Sequence, residues 1–161
     1  MSYSTFIAPY NRLPETLPIF PLPGAIVMPG SELPLNIFEP RYLNMVSDAL
    51  STHHMIGMIQ PDPNARDTNV LCHTGCAGRI TQYRETNDGR IEMVLSGVCR
   101  YDLGKELPTT RGYRLVVPDW SRFRDDYTNH EDQLRSEHGH LIRIVKRYFD
   151  AKGLQADWSM L

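Results

Sequence analysis

At 161 residues, with 41% hydrophobic and 22% charged residues and a formal net charge of −2, the chain has the size and composition of one globular domain, with or without a small appendage. That balance exerts no global pull on nucleic acid or an anionic membrane, and no apolar run reaches the length of a membrane span. Three cysteines in no disulfide-framework spacing fit a reducing compartment, and the N-terminus lacks the apolar core of a secretory signal, so the expected location is cytoplasmic.

Residues 1–13 read as a loosely held tail outside the fold. Six prolines then fall between Leu17 and Pro40 in an otherwise mostly apolar stretch. Ile19 to Leu22 is a short apolar segment, and Pro23-Gly24 and Pro29-Gly30 are turn signals. From Glu32 to Phe38 the pattern alternates, with Leu33, Leu35 and Ile37 on one face; Pro34 cannot donate to a ladder, which predicts an edge or bulge position. Pro40 suits the first residue of a helix whose stripe is Leu43, Val46, Ala49 and Leu50. Met55 to Ile59 is a short strand, closed by the loop Gln60-Pro61-Asp62-Pro63. Cys76 to Glu85 and Arg90 to Tyr101 form a predicted hairpin around Asp88-Gly89, the dipeptide best suited to a tight strand turn. Tyr113 to Val117 is a further strand. Ser121 to Tyr127 is polar and reads as a linker. The period then turns helical from about Asn129 to Lys152, with Leu134, Leu141, Ile142, Val145, Tyr148 and Phe149 on one stripe and Gly153 as the stop. Gly139 is a possible kink, and Leu154, Trp158 and Leu161 begin another turn of helical spacing. A wide apolar stripe with no partner helix implies that the chain is a truncation of a longer protein or that the helix packs on another copy.

The predicted fold class is therefore α+β, mainly β: six or seven short strands with one inserted helix, as a small barrel or folded-over sheet, then a helical segment. The expected division is a tail at 1–13, a β domain at 14–120, and a linker with helix at 121–161.

The run LPIFPLPGAIVMPGSELPLNIFEPRY, Leu17 to Tyr42, resembles the opening of the N-terminal, substrate-binding domain of the ATP-dependent protease Lon. Further motifs follow in the order of that family: IGMIQP at Ile56–Pro61, GCAGRI at Gly75–Ile80, the turn DGR at Asp88–Arg90, and LSGVCRY at Leu95–Tyr101. The resemblance spans Leu17 to Trp120. It implies a PUA-like barrel followed by the start of a helical bundle. The family's domain stands at the front of the full protease, alone in short bacterial proteins, and inside the ubiquitin-ligase receptor cereblon, and the shared theme is recognition of proteins. The chain has no G-x-x-x-x-G-K-[ST] motif, since Gly104-Lys105 runs into Glu106, and it has no room for the serine–lysine domain of the protease. The expected function is non-catalytic recognition of unfolded or degron-bearing segments, with protein or peptide partners and a protease or chaperone acting in trans. Self-association through the C-terminal helix is a further expectation. An RNA-binding PUA-like domain is the alternative.

Phe38-Glu39-Pro40-Arg41-Tyr42 is the sharpest motif. It reads either as a peptide-contacting site, with Phe38, Glu39, Arg41 and Tyr42, or as a structural corner in which Pro40 starts the helix, Phe38 or Tyr42 packs, and Glu39 and Arg41 satisfy local backbone groups or each other. One carboxylate and one guanidinium do not make a hydrolytic site, which needs a base–nucleophile pair, a second carboxylate or a metal. Cys72-His73-x-x-Cys76 with Cys99 departs from the paired spacing of zinc sites, and buried thiols commonly serve as small hydrophobes, so no metal or cofactor is expected. His53-His54, His130, His138 and His140 form no ligand or triad pattern. Ser96 in LSGVC lacks the preceding glycine of a nucleophile elbow. Arg100, Lys105, Arg111, Arg114, Arg122 and Arg124 would suit RNA, but Asp102, Glu106, Asp119, Asp125 and Asp126 are interleaved with them, as on a mixed surface that favours protein over nucleic acid.

Overall fold

In the computed structural model, residues 9–67, 69–127 and 131–153 are described. The chain divides into two compact units, residues 1–127 and 128–161. The first holds strands β1 (Leu17–Pro21), β2 (Glu32–Ile37), β3 (Met55–Ile59), β4 (Thr74–Glu85), β5 (Ile91–Leu107) and β6 (Arg114–Asp119), with helix α1 (Pro40–Leu50) between β2 and β3. The unit is mainly β, as predicted.

One six-stranded sheet runs in the order β2-β5-β4-β3-β1-β6, and β6 also pairs with β5. The pairing circuit β5, β4, β3, β1, β6 thus returns to its start and leaves β2 outside it. β1 and β3 run parallel, and the other pairs are antiparallel. β5 is longer than the predicted return strand because, besides β4, it serves two further partners: its first half pairs with β2 and its second half with β6. The Asp88-Gly89 turn forms as expected. Gly89 takes a φ of 80°, open mainly to glycine, and its N–H donates to Thr86 O at 3.0 Å.

Two clusters fill this unit. One gathers α1 residues Tyr42, Met45, Val46 and Ala49 against Phe20, Ile37, Ile80, Met93 and Leu95. Of the predicted stripe Val46 and Ala49 are buried and Leu43 and Leu50 only partly so, because the buried face is turned toward Tyr42 and Met45; Pro40 occupies the first turn. The other cluster gathers Leu17, Ile19, Val98, Cys99, Val116 and Tyr101. Tyr101 is fully buried because two strand glycines make room for its ring. A Cβ on Gly57 would lie 2.6 Å from its Oη, and one on Gly75 would lie 2.7 Å from it. Burying side chains of this size contributes roughly 1.5–3 kcal/mol each.

β2 is the edge strand that Pro34 predicted. Gly97 N–H donates to Ser31 O at 2.8 Å. Pairs alternate along an antiparallel ladder, so the backbone groups of Glu32, Pro34 and Asn36 turn away from β5. Pro34 therefore sits where its missing N–H costs nothing and breaks the outer row of donors, a device that blunts edge pairing. Replacing it with Thr restores a donor; the Pro34→Thr chain is expected to elute earlier as its concentration rises in size-exclusion chromatography. An unchanged elution profile would show that this missing donor does not guard the edge.

Two expectations change. Ser121–Tyr127, read as a polar linker, is a pair of 3-10 turns kinked at Phe123 and belonging to the first unit, with Phe123 buried. Its charged residues masked it, because Asp126 is buried against Arg100 of β5, a pairing that local sequence does not announce. Of the predicted tail, residues 1–8 lie outside the described residues. Tyr10–Arg12 forms a 3-10 turn, the Tyr10 hydroxyl donates to Trp120 O at 2.9 Å, and Leu13 packs on the core. In the second unit, α2 (Glu131–Lys152) is helical through Gly139, and Gly153 follows it with a φ of 64°. Leu141, Ile144 and Tyr148 are exposed on it. Leu154, Trp158 and Leu161 lie outside the described residues.

Candidate binding surfaces

The FEPRY corner is built by the start of α1. Glu39 is the extended residue before the helix, and its carbonyl accepts the N–H groups of Tyr42 and Leu43, both at 2.9 Å. Its side chain makes no cap bond. Instead it accepts from Arg41 Nε at 3.0 Å and Nη2 at 2.9 Å, in a pair open to solvent. The Arg41 guanidinium lies 4.5 Å from the centre of the Tyr42 ring. Tyr42 itself is buried, its ring 4.2 Å from that of Phe20 and tilted by 44°. Burial pushes its hydroxyl pKa up, Arg41 opposes this, Glu39 adds to it, and Arg114 opposes it. Phe38 points the other way, 63% exposed, with Arg90 5.9 Å from its ring centre. So Arg41, Glu39 and Tyr42 stand together and Phe38 stands apart. A single solvated carboxylate held by a guanidinium can orient a partner but does not activate water.

A cavity of about 220 Å³ adjoins this corner, lined by Arg41, Tyr42, Tyr113, Arg114 and two prolines, Pro21 and Pro23, among others. Non-local contacts build it. Arg111 Nε pairs with Asp48 at 2.7 Å, and the Tyr113 hydroxyl donates to the same carboxylate at 2.8 Å. Arg114 is bidentate to Glu106 at 2.9 and 2.7 Å and donates to Asn69 O at 2.8 Å. A second cavity, of about 560 Å³, runs beside β2 over Pro34, Asn36, Tyr83 and Val94, next to the Arg84–Glu92 pair. Sequence reasoning passed over Tyr83; its place in an alternating strand beside Gln82 was the only local signal.

The arginines read as a basic group are largely neutralised: Arg100 by Asp126, Arg111 by Asp48, Arg114 by Glu106 and Arg122 by Asp102. Cys76 and Cys99 are buried, and burial above all pushes both thiols up to about 12, which keeps them protonated and unreactive at neutral pH. Cys72 stands apart, its thiol toward Pro61 O at 3.7 Å. His73 meets Asp102 at 3.6 Å, and that carboxylate also accepts from Thr74 at 2.6 Å. His53 Nδ1 accepts from Met55 N–H at 3.1 Å, and burial lowers its pKa. His130 lies outside the described residues. Among the described residues, no three His, Cys, Asp or Glu side chains gather as a metal site, and no helix is long and apolar enough to cross a membrane.

The first unit is mainly β, with one inserted helix, one edge strand and cavities beside that strand and beside the start of α1. Residues 16–156 match the family model of the ATP-dependent protease La (LON) substrate-binding domain, and the chain belongs to that family. It is 26% identical over 94 residues to the Lon protease of Desulfosudis oleivorans, an alignment covering 56% of this chain and 12% of the relative. It thus spans a small part of the full-length proteases it matches. The Lon N-terminal domain protein from Xanthomonas campestris is 28% identical, with a TM-score of 0.54 over 65% of this chain and 59% of that one. The N-terminal domain of Mycobacterium avium complex Lon protease shares the fold, with a TM-score of 0.57 at 15% identity over 86% of this chain and 71% of that one.

Proposed function

We propose that the chain is a non-catalytic protein-recognition module that binds unfolded or degron-bearing segments, with the closed pairing circuit serving as a PUA-like barrel scaffold. The observation that carries this reading is the match of residues 16–156 to a substrate-binding domain. The open outer row of β2 and the exposed Ile26, Met28, Phe38 and Tyr83 support it, because extended peptides are held by strand edges and apolar patches. Phe38, Glu39, Arg41 and Tyr42 contribute a contact surface, with Arg41 and Phe38 offered to the partner and Tyr42 holding Arg41 in place. The partner proteins meet their protease or chaperone in trans, in the cytoplasm, and α2 provides a face for self-association. Neutralisation of four arginines by carboxylates turns the reading away from RNA.

The test is fluorescence anisotropy of labelled β-casein, an unstructured protein, titrated with the full chain. Saturable binding at about micromolar concentration is expected. No binding well above that concentration would sink the reading, and steeply salt-dependent binding to a structured RNA would replace it.

A further inference from the structure

Tyr42 carries one polar atom that the fold does not use. Its ring packs on Phe20 and the residue is 6% exposed, yet its hydroxyl makes no hydrogen bond among the described residues. Among those residues no side-chain nitrogen or oxygen is sealed from solvent without a partner, so this oxygen opens on the cavity of about 220 Å³ that Tyr42 lines. Packing does not ask for it: phenylalanine would fill the same space with no polar atom to satisfy. Burial above all raises the hydroxyl pKa, which keeps the proton on the oxygen at neutral pH and makes it a hydrogen-bond donor.

Two guanidiniums, Arg41 and Arg114, share that lining. Their charges both act on the Tyr42 hydroxyl, against the effect of burial, so the three groups converge. Glu39 holds Arg41 through Nε and Nη2, and Glu106 holds Arg114 through the same two atoms. Arg114 Nη1 is fixed on Asn69 O, while Arg41 Nη1 makes no hydrogen bond among the described residues. Neither Glu39 nor Glu106 is part of the lining, and Asp48 is not either. The carboxylates therefore fix the guanidiniums from outside the cavity wall, and the wall presents donors and positive charge with no acidic side chain. An anion is its complement. One negative charge suits it better than two, because each guanidinium already answers a carboxylate. Pro21, Pro23 and Pro61 make the rest of the wall rigid and apolar. The volume is the share of roughly seven waters and lies below the ~300 Å³ at which sites for drug-sized ligands begin, so it takes one ring and excludes a nucleotide.

We propose that this cavity binds a small free monocarboxylate with a single-ring or similarly compact apolar body. The carboxylate sits between Arg41 and Arg114 and accepts from the Tyr42 hydroxyl, and the body lies against the three prolines. Guanidiniums already held in place by Glu39 and Glu106 lower the ordering cost of binding. This goes beyond the protein-recognition reading, which requires no small-molecule site, and it stands or falls separately.

The test uses the full chain labelled with 13C in its tyrosine rings, titrated with benzoate and with benzamide, which has the same shape and no charge. Benzoate is expected to shift the Tyr42 and Tyr113 resonances saturably with a Kd of about 1 mM or below, and benzamide to bind at least about tenfold more weakly. Tyr42→Phe and Arg41→Gln are each expected to weaken the benzoate response, read at Tyr113, about tenfold. The Tyr42→Phe melting temperature is expected to stay within about 1 °C of the unsubstituted chain, because the lost hydroxyl has no protein partner. A clear fall would show that the oxygen serves the fold and would overturn the assignment. Absence of a saturable shift up to about 20 mM benzoate, an equal response to benzamide, or benzoate binding unchanged in either variant would also overturn it. An equal response to inorganic phosphate would overturn it in favour of an adventitious ion only. Acetyl-Gly-Gly-Phe binding more than about tenfold tighter than benzoate, with its C-terminal amide inert, would overturn it in favour of the end of a polypeptide chain.

Discussion

The Gly97→Ala chain is expected to melt roughly 10 °C below the unsubstituted protein, a loss of about 3 kcal/mol for a chain of this size. Gly97 is where the loop between β1 and β2 crosses β5. A Cβ there would lie 2.0 Å from Met28 O and 2.7 Å from Met28 C, both backbone atoms that no side-chain rotation can move aside. The loop must lift, and with it go the exchange between Gly97 N–H and Ser31 O and between Gly30 N–H and Gly97 O. Ser96→Ala, one residue earlier and with a half-buried side chain, is the control and is expected to change stability by no more than about 0.5 kcal/mol. Thermal denaturation followed by circular dichroism decides the matter. Equal melting temperatures for the two variants would mean that the loop is not held against β5 as described.

Arg100→Ala is expected to cost about 2–3 kcal/mol, less than the cost of breaking a fully buried pair because Arg100 is 42% exposed. Its partner is the reason for the cost. The Asp126 side chain is only 5% exposed, and it accepts Arg100 N–H at 2.8 Å as well as Nη2 at 2.6 Å. Phe123 has two guanidiniums over its ring, with Arg100 and Arg122 each 4.8 Å from its centre. Burial alone would raise the Asp126 carboxyl pKa, but the hydrogen bonds and charge of Arg100 outweigh it and hold the group below its ordinary value. A carboxyl depressed on folding takes up a proton on unfolding, so its stabilisation is complete above the unfolded value near 4 and is lost as pH falls through the folded value. Urea titrations between pH 2 and 6 are expected to show this acid loss in the unsubstituted chain and a flatter profile in Arg100→Ala. Parallel profiles would assign the acid sensitivity to other carboxylates.

What could be read from the residues alone was whatever local backbone chemistry dictates. Pro40 at the head of α1, Pro34 on an edge, Asp88-Gly89 in a hairpin and Gly153 behind α2 each follow from a φ angle or a missing donor, and each stands where expected. The glycines inside strands were visible only as motif letters in IGMIQP and GCAGRI. The reason for Gly57 and Gly75 is the Tyr101 ring and for Gly78 the Leu95 side chain, both of which arrive from another strand and leave no trace in the neighbouring sequence. Ser121–Tyr127 was misread for the same cause: charge density marked it as solvent-facing, while Phe123 and Asp126 found partners on β5. The candidate corner was legible as Glu39, Arg41 and Tyr42. The cavity beside it was not, because Tyr113 and Arg114 reach it from the far end of the β domain. The outward position of Ile26 and Met28 was not legible either, since exposure of an apolar side chain is a property of the fold.

The placement of β1 fixes an order of events in the making of this protein. It lies between β3, which it meets in parallel at Ile19 and Gly57, and β6, where Leu17 faces Val116. During synthesis β1 can find its first partner once residues near Ile59 are free, yet its second edge has nothing to pair with until the segment around Val116 emerges. Until then Leu17 and Ile19, both fully buried at the end, are exposed along an unpaired strand. Contacts this distant in sequence make for slow closure. A nascent chain stalled before β6 would therefore present the apolar, unpaired backbone that marks non-native protein. A domain for which we propose recognition of such segments passes through that condition on the way to its own fold.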